Sequence, residues 1–456
     1  MENEAYPLER LFGRIRTPFE EFLRRTTAGG IVLITTTLIA LALASILGED
    51  VVDPFWHRKF SLVAENFELS MSWHHWVNDG LMALFFLLVG LELKREMLVG
   101  ELSSLKDAAL PVVAAIGGMV VPALLYLVFN AGTPAAHGWG IPMATDIAFA
   151  VGILVLLAWR IPRNLVVFLT ALAIADDLGA VLVIALFYTG DLDQGALWAA
   201  LALLTVLVLF NRAGIRHPLP YILLGLLLWE ALHVSGIHAT LAGVLLAFTI
   251  PARPAYTPAI FERRINELQA AFRADRRDSH TSGDPLSNSR MASIAEAMEH
   301  SAISVQSPLQ RMEHSLTPWV TFAIIPAFAL ANAGIDLLSV AWSDTLSSRI
   351  TLGIVAGLVL GKFLGIGAFS WIAVRLGLAR LPAGVRWIDL TGAAWLAGIG
   401  FTMSLFIAQL AFRDPALVEQ AKVGILIASA ISASIGLVWL YVAGSRRTRP
   451  LTGADE

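Results

Sequence analysis

The sequence predicts an all-α integral membrane protein of twelve transmembrane helices arranged as inverted repeats. Two of these helices are expected to be broken and to cross at an ion site, and a small external β-hairpin completes the fold. Three observations carry this prediction. The chain is 57% apolar and only 15% charged, where soluble domains average about 25% charged residues. Its apolar runs recur at lengths of ~20 residues, enough to span a bilayer as helix. One run, ALAIADDLGAVLVIALFY over 171–188, is apolar except for two adjacent carboxylates, Asp176 and Asp177.

In chain order, residues 1–28 set Leu8, Leu11, Phe12, Phe19 and Phe22 against Arg10, Arg14, Arg16, Arg24 and Arg25. That pattern predicts a basic amphipathic helix on the cytoplasmic membrane face. No small-residue cleavage site follows the next apolar run, which argues against a removed signal peptide. Spans one to eight fall within 29–250, at about 29–48, 73–93, 108–130, 139–158, 171–188, 195–210, 219–233 and 237–250. Between the first two, 60–72 shows partial period-two alternation around an Asn turn, which predicts the external hairpin. A bare hairpin is marginal alone, so pairing with a second copy, and hence a homodimer, is expected. A long cytoplasmic loop, 251–317, reads as disordered over 274–290, with short surface helices over 261–272 and 291–298. Spans nine to twelve occupy 318–443, at about 318–341, 350–376, 387–412 and 418–443, and 444–456 is a cytoplasmic tail.

Charge placement supports this count. Lys94, Arg95, Lys106, Arg160, Arg163, Arg212, Arg216, the arginines of 253–311, Arg375, Arg380 and Arg386 fall on alternate loops. The opposite loops hold only Arg58, Lys59, Arg349, Arg413 and Lys422. By the positive-inside rule both termini are cytoplasmic. A net charge of −4, carried in loops, makes nucleic acid an unsuitable partner. The chain has no cysteine, which excludes disulfides and thiolate metal sites.

The chemistry lies in the few ionisable residues at membrane depth. A charged side chain at mid-membrane costs ~3 kcal/mol on the lenient insertion scale. Successive helical residues point about 100° apart, so Asp176 and Asp177 cannot share one contact. Asp79, Asp146 and Lys362 lie at similar depth, and five such residues unpaired would cost on the order of 10 kcal/mol. Four acids against one base suit a cation or proton pathway. Lys362 paired with one aspartate serves equally as packing glue or as a switch. Thr145 and Asp146 follow Pro142 in a segment readable as unwound, and Gly398 and Gly400 mark a matching break leading to Thr402. Broken helices offer carbonyls to cations and helix N-termini to anions. Two such breaks in separate parts of the chain are the pattern of an inverted-repeat transporter, although glycine-mediated helix packing leaves a similar trace. At the cytoplasmic ends, Glu92, Arg95, Glu96, Glu313 and His314 form either a pH-sensing cluster or an ordinary solvated edge. His238 reads as a structural histidine. An intramembrane protease would need its two aspartates on facing helices, sharing a proton. A carrier for organic solutes would need a larger polar or aromatic pocket than Ile174, Ala175, Leu178, Gly179 and Ala180 provide. No enzymatic reaction and no resident cofactor are expected.

The motifs ATDIAFA (144–150), ALAIADDLGA (171–180), SGIHATLAG (235–243), ANAG (331–334), LGKFLGI (360–366) and GIGFTMSLFIA (398–408) together resemble the NhaA family of bacterial Na+/H+ antiporters. The resemblance runs over about 29–443. NhaA is itself among the transporters from which the inverted-repeat pattern is known, so that agreement is not independent. The resemblance implies a multi-pass protein of the bacterial inner membrane, acting on Na+ or Li+ and H+, electrogenic and pH-regulated. It implies Asp177 as the main cation ligand, with Asp176 as its partner, released from Lys362. It implies Thr145 and Asp146 at the crossing, with Asp146 balancing the helix ends, and Asp79 as the acid of the second span on the pathway. It further implies Glu92, Arg95, Glu96, Glu313 and His314 as the pH-sensing cluster, and 60–72 as the dimerising hairpin. Three departures stand out: Thr317 where the family has a second histidine, an Arg- and Ser-rich lengthening before Glu313, and Ala175 where a larger aliphatic is familiar. The first bears on the midpoint and sharpness of pH activation.

Overall fold

The computed structural model describes residues 26–64, 67–190, 192–278 and 288–445. The amphipathic stretch expected over 1–28, save its last three residues, and the tail beyond 445 lie outside the described residues. The chain opens with α1 (Thr26–Leu47) and α2 (Glu49–Trp56). The strands β1 (Lys59–Ala64) and β2 (Phe67–Ser72) pair antiparallel, Lys59 opposite Ser72 and Ala64 opposite Phe67. Next come α3 (Trp73–Val99) and α4 (Lys106–Asn130). A 3-10 segment, Pro134–Met143, then leads into α5 (Ile147–Leu156). α6 (Arg163–Phe187), α7 (Gln194–Arg212), α8 (Pro218–Val234) and α9 (Leu241–Thr249) follow, then α10 (Pro258–Asp278) and α11 (Ser289–Ser304). α12 (Pro308–Asn332), α13 (Trp342–Ser347), α14 (Arg349–Arg375), α15 (Trp387–Leu396), α16 (Phe401–Ala411) and α17 (Pro415–Ser445) complete the chain.

Nine described segments are long and apolar enough to cross a membrane, and α15 with α16, bent by 47° at their junction, makes a tenth. The span expected at 219–233 forms in full as α8, with 17 residues. The one expected at 237–250 is shortened to α9, with only nine, because Gly236 turns the chain at φ 82° and helix resumes only after Thr240. The loop carries more helix than its composition suggests. Residues 274–278 and 289–290 are helical rather than coil, and Asn288 accounts for part of this. Its Oδ1 accepts from the backbone of Arg290 and Met291, and its Nδ2 donates to Asp275 on α10 at 2.6 Å.

Two packing devices position the centre. α4 and α14 cross backbone to backbone: a Cβ on Gly365 would strike the Gly117 carbonyl, and one on Gly117 would strike that of Gly365. Small residues permit this approach between membrane helices. It sets Lys362, one turn earlier on α14, against Gly118 of α4. Widened π-turns also interrupt α3 at Trp76–Leu81, α12 at Val320–Ile324 and α14 at Ala356–Gly361. Such turns favour functional positions; Asp79 lies in the first and Lys362 directly after the third. Outward faces such as Leu182 and Leu186 of α6 or Leu226 and Leu227 of α8 remain exposed, as faces toward lipid require.

Candidate functional site

The site begins where two chains of helix are interrupted side by side. After the 3-10 segment, Ala144 and Asp146 are extended and α5 starts at Ile147; residues 397–400 separate α15 from α16 as a turn, with Ala397 and Gly400 at helical dihedrals. The two gaps bond to each other. The Asp146 amide donates to the Ile399 carbonyl at 2.7 Å and the Thr145 hydroxyl to that of Ala397 at 2.8 Å. Ser404 adds a bond to the Ile141 carbonyl at 2.8 Å. Gly398 and Gly400 make the crossing possible. A Cβ on the first would lie 2.5 Å from the Leu358 carbonyl, and one on the second 3.1 Å from that of Ala144.

Asp146 serves both halves of the crossing. Its Oδ1 accepts from the Phe149 amide at 3.0 Å, in the first turn of α5. Its Oδ2 accepts from the Thr402 amide at 3.1 Å and the Thr402 hydroxyl at 2.5 Å, in the first turn of α16. One carboxylate thus caps two helix N-termini, where orphan amides and the positive dipole end favour negative charge.

α6 runs past the crossing uninterrupted and carries the paired acids. Asp176 Oδ2 receives Lys362 Nζ at 2.6 Å, with both side chains fully buried. Asp177 is 1% exposed. Asp176 Oδ1 and both oxygens of Asp177 are buried without a hydrogen-bond partner. Asp177 also lies in the field of Asp176, Asp146 and Lys362, so four of the acids and bases read from the sequence share one locus. An unpartnered buried carboxylate oxygen is costly. The arrangement therefore favours whatever satisfies these oxygens: a proton, or a hard cation that prefers oxygen ligands.

Other residues singled out in the sequence lie elsewhere. Asp79 bonds to His75 Nε2 at 2.7 Å, near the end of α3 that joins β2. At the other end of α3, Arg95 bridges Glu96 at 2.9 Å and Glu313 at 3.0 Å, and Glu92 lies in the field of the same three residues. His314 is exposed and lines an apolar groove beside α8 instead. Thr317 donates its hydroxyl to the Glu313 carbonyl. His238 bonds to the Tyr188 carbonyl at 2.7 Å.

Sequence reasoning missed three features. Thr402 follows a glycine break in the sequence, but its two bonds to Asp146 appear only in the folded chain. Glu230 of α8 lines the apolar groove with Oε2 buried and unpartnered; a carboxylate inside the apolar run 219–233 was the available signal. His74, Asn78 and Asn332 form a polar bridge between α3 and α12, with Asn332 Nδ2 donating to Asn78 at 2.8 Å. Asn332 belongs to the ANAG motif.

Residues 20–440 match the family model described as Na+/H+ antiporter 1. The chain belongs to this family. It is 64% identical over 441 residues to the Na(+)/H(+) antiporter NhaA of Syntrophobacter fumaroxidans, covering 97% of this chain and 93% of the relative. It is 59% identical to the NhaA of Acidithiobacillus ferrooxidans, with 93% and 97% covered. To the NhaA of Sulfurimonas denitrificans it is 47% identical, with 95% and 97% covered. These relatives are antiporters rather than enzymes. The match to the antiporter family takes in the helix crossing, the α6 aspartates and Lys362 alike.

Proposed function

We propose that this chain is a secondary active Na+(Li+)/H+ antiporter that exports sodium in exchange for external protons, by alternating access at Asp176 and Asp177. The observation that carries the reading is the set of buried, unpartnered oxygens on Asp176 and Asp177 beside the Lys362 pair, in a chain whose relatives are Na+/H+ antiporters. Asp177 provides the main cation ligand and Asp176 joins it on leaving Lys362. Thr145 and Asp146 hold the crossing open at one end of the site. Facing outward, the two carboxylates take up protons; facing inward they release them to Na+. Competition for one site couples the two fluxes without any further device. If two protons exchange for one Na+, one net charge moves, and the membrane potential contributes ~2.3 kcal/mol per 100 mV.

The wider architecture belongs to the same proposal. Adding α8 and α9 to the ten segments above makes twelve, with both termini cytoplasmic in a bacterial inner membrane and the breaks at 144–146 and 397–400 related as inverted repeats. The β1–β2 pair is external, and its open edges join a second subunit to form a homodimer. Glu92, Arg95, Glu96, Glu313 and His314 sense cytoplasmic pH, and Asp79 lines the outer approach.

Na+-induced collapse of an imposed pH gradient in everted vesicles or proteoliposomes tests this reading. Dequenching by Na+ that disappears in Asp177→Asn is expected. A native chain inert from mildly acidic to alkaline pH would overturn the function, and an active Asp177→Asn would overturn the site.

A further inference from the structure

We propose that His75, Asp79 and His233 form a second cation site, of different chemistry, that binds a divalent transition metal of the Zn2+ class. His75 and Asp79 stand four residues apart on α3, and His233 arrives from α8. One ligand atom of each lies within 4.8 Å of the other two. His75 and Asp79 already touch at 2.7 Å, with side chains 46% and 18% exposed. The site is thus open to water on one side, unlike the sealed Asp176–Asp177 centre.

Two imidazole nitrogens and one carboxylate oxygen are the donor set that suits Zn2+, with water in the fourth position. Zn–N and Zn–O bonds of about 2.0–2.2 Å place tetrahedral donors roughly 3.4 Å apart. The His75–Asp79 contact has to open by less than about 1 Å for the metal to replace the proton it shares, and the His233 donor, within 4.8 Å of the other two, closes by up to about 1.4 Å. Rotamer adjustment in half-exposed side chains supplies such shifts.

The surroundings hold these ligands as outer-shell partners hold metal ligands. The Trp229 ring stacks on His233 at 5.8 Å and 5° and on Trp76 at 6.2 Å. Its Nε1 donates to the Asp79 carbonyl at 3.0 Å. His233 in turn meets the His75 ring edge-on at 5.5 Å. A His–Asp pair alone needs only a proton to explain it. The third donor, from another helix and oriented by an aromatic stack, points to a metal that pins α3 to α8.

The test is calorimetric titration of Zn2+ into the purified full chain in detergent, with Co2+ visible absorption as a probe of coordination. One site per chain with tetrahedral Co2+ bands is expected. His75→Ala and His233→Ala should each weaken binding at least about a hundredfold, the upper end of what losing an outer-shell partner costs. His300→Ala, on α11, should change nothing. If His233→Ala unfolds, His233→Gln keeps the ring-sized volume and must show the same loss. Absence of tight Zn2+ binding to the native chain overturns the site, as does binding that both His233 variants retain.

Discussion

Lys362–Asp176 and Arg95–Glu313 are ion pairs between parts of the chain far apart in sequence, and they differ in what surrounds them. Lys362 and Asp176 meet at 2.6 Å with neither side chain exposed. Arg95 and Glu313 meet at 3.0 Å with 35% and 17% exposed. Water can replace either partner of the second pair. It cannot reach the first, so each partner there depends on the other, and breaking the contact strands a charge. The proposed exchange would use the first as a bistable element at the centre and the second as a responsive, cheaply rearranged one at the mouth. The same bond type serves both because burial sets its strength.

The largest expected effect follows from stranding Asp176. Lys362→Met should lower stability by roughly 3–5 kcal/mol, the usual loss when one partner of a buried pair is removed, read as a fall in unfolding temperature in detergent. Adding Asp176→Asn should restore most of it, since replacing both charges is often nearly neutral. A single variant as stable as the native chain would break the comparison, because the centre would then be wet enough to hold a free carboxylate.

Asp146 offers an intermediate case. It is as buried as Asp176 but is satisfied by amides and one hydroxyl rather than by a cation. Thr402→Val removes the hydroxyl and keeps the shape. Hydrogen bonds to charged groups contribute about 1.5–3 kcal/mol, so the loss should fall below that of Lys362→Met. Exchange should weaken together with stability, because the bond ties α5 to α16. Equal losses for the two variants would mean that the crossing, not the lysine pair, dominates the centre.

How much of this was legible in the sequence depends on the kind of contact. Asp176, Asp177, Asp146 and Lys362 stand out because a charge in an apolar run is conspicuous in one dimension. Glycine and proline likewise disclosed the breaks at 142–146 and 398–400. Which carbonyl Thr145 or the Asp146 amide would find was not legible, since those partners lie over 250 residues away. Glu230 and His233 passed unnoticed: a helix with two outward leucine turns dilutes single polar residues, and only the approach of α3 brings His233 to Asp79. The start of α9 is set too early by the sequence because hydropathy continues past Gly236 from 237, where helix begins only at Leu241. The loop helices α10 and α11 exceeded expectation because Asn288 docks one on the other, a tertiary contact that composition cannot register.

The smallest effect on stability is expected at the mouth, where the comparison can be sharpened most finely. Arg95→Gln removes both contacts to Glu96 and Glu313 from a partly exposed side chain. Exposed pairs contribute about 0.2–1 kcal/mol each, so unfolding should shift little. Raising salt to about 1 M, where the screening length falls to ~3 Å, should erase most of the remaining difference from the native chain. The same variant should nonetheless displace the pH at which Na+-driven dequenching switches on, because Glu92, Glu96 and Glu313 lose the cation that offsets their mutual repulsion. A displaced pH profile with nearly unchanged stability assigns the cluster to sensing. An unchanged profile would leave Arg95 holding α3 to α12 and nothing more, and the regulatory part of the antiporter reading would fall while the exchange site at Asp177 stood.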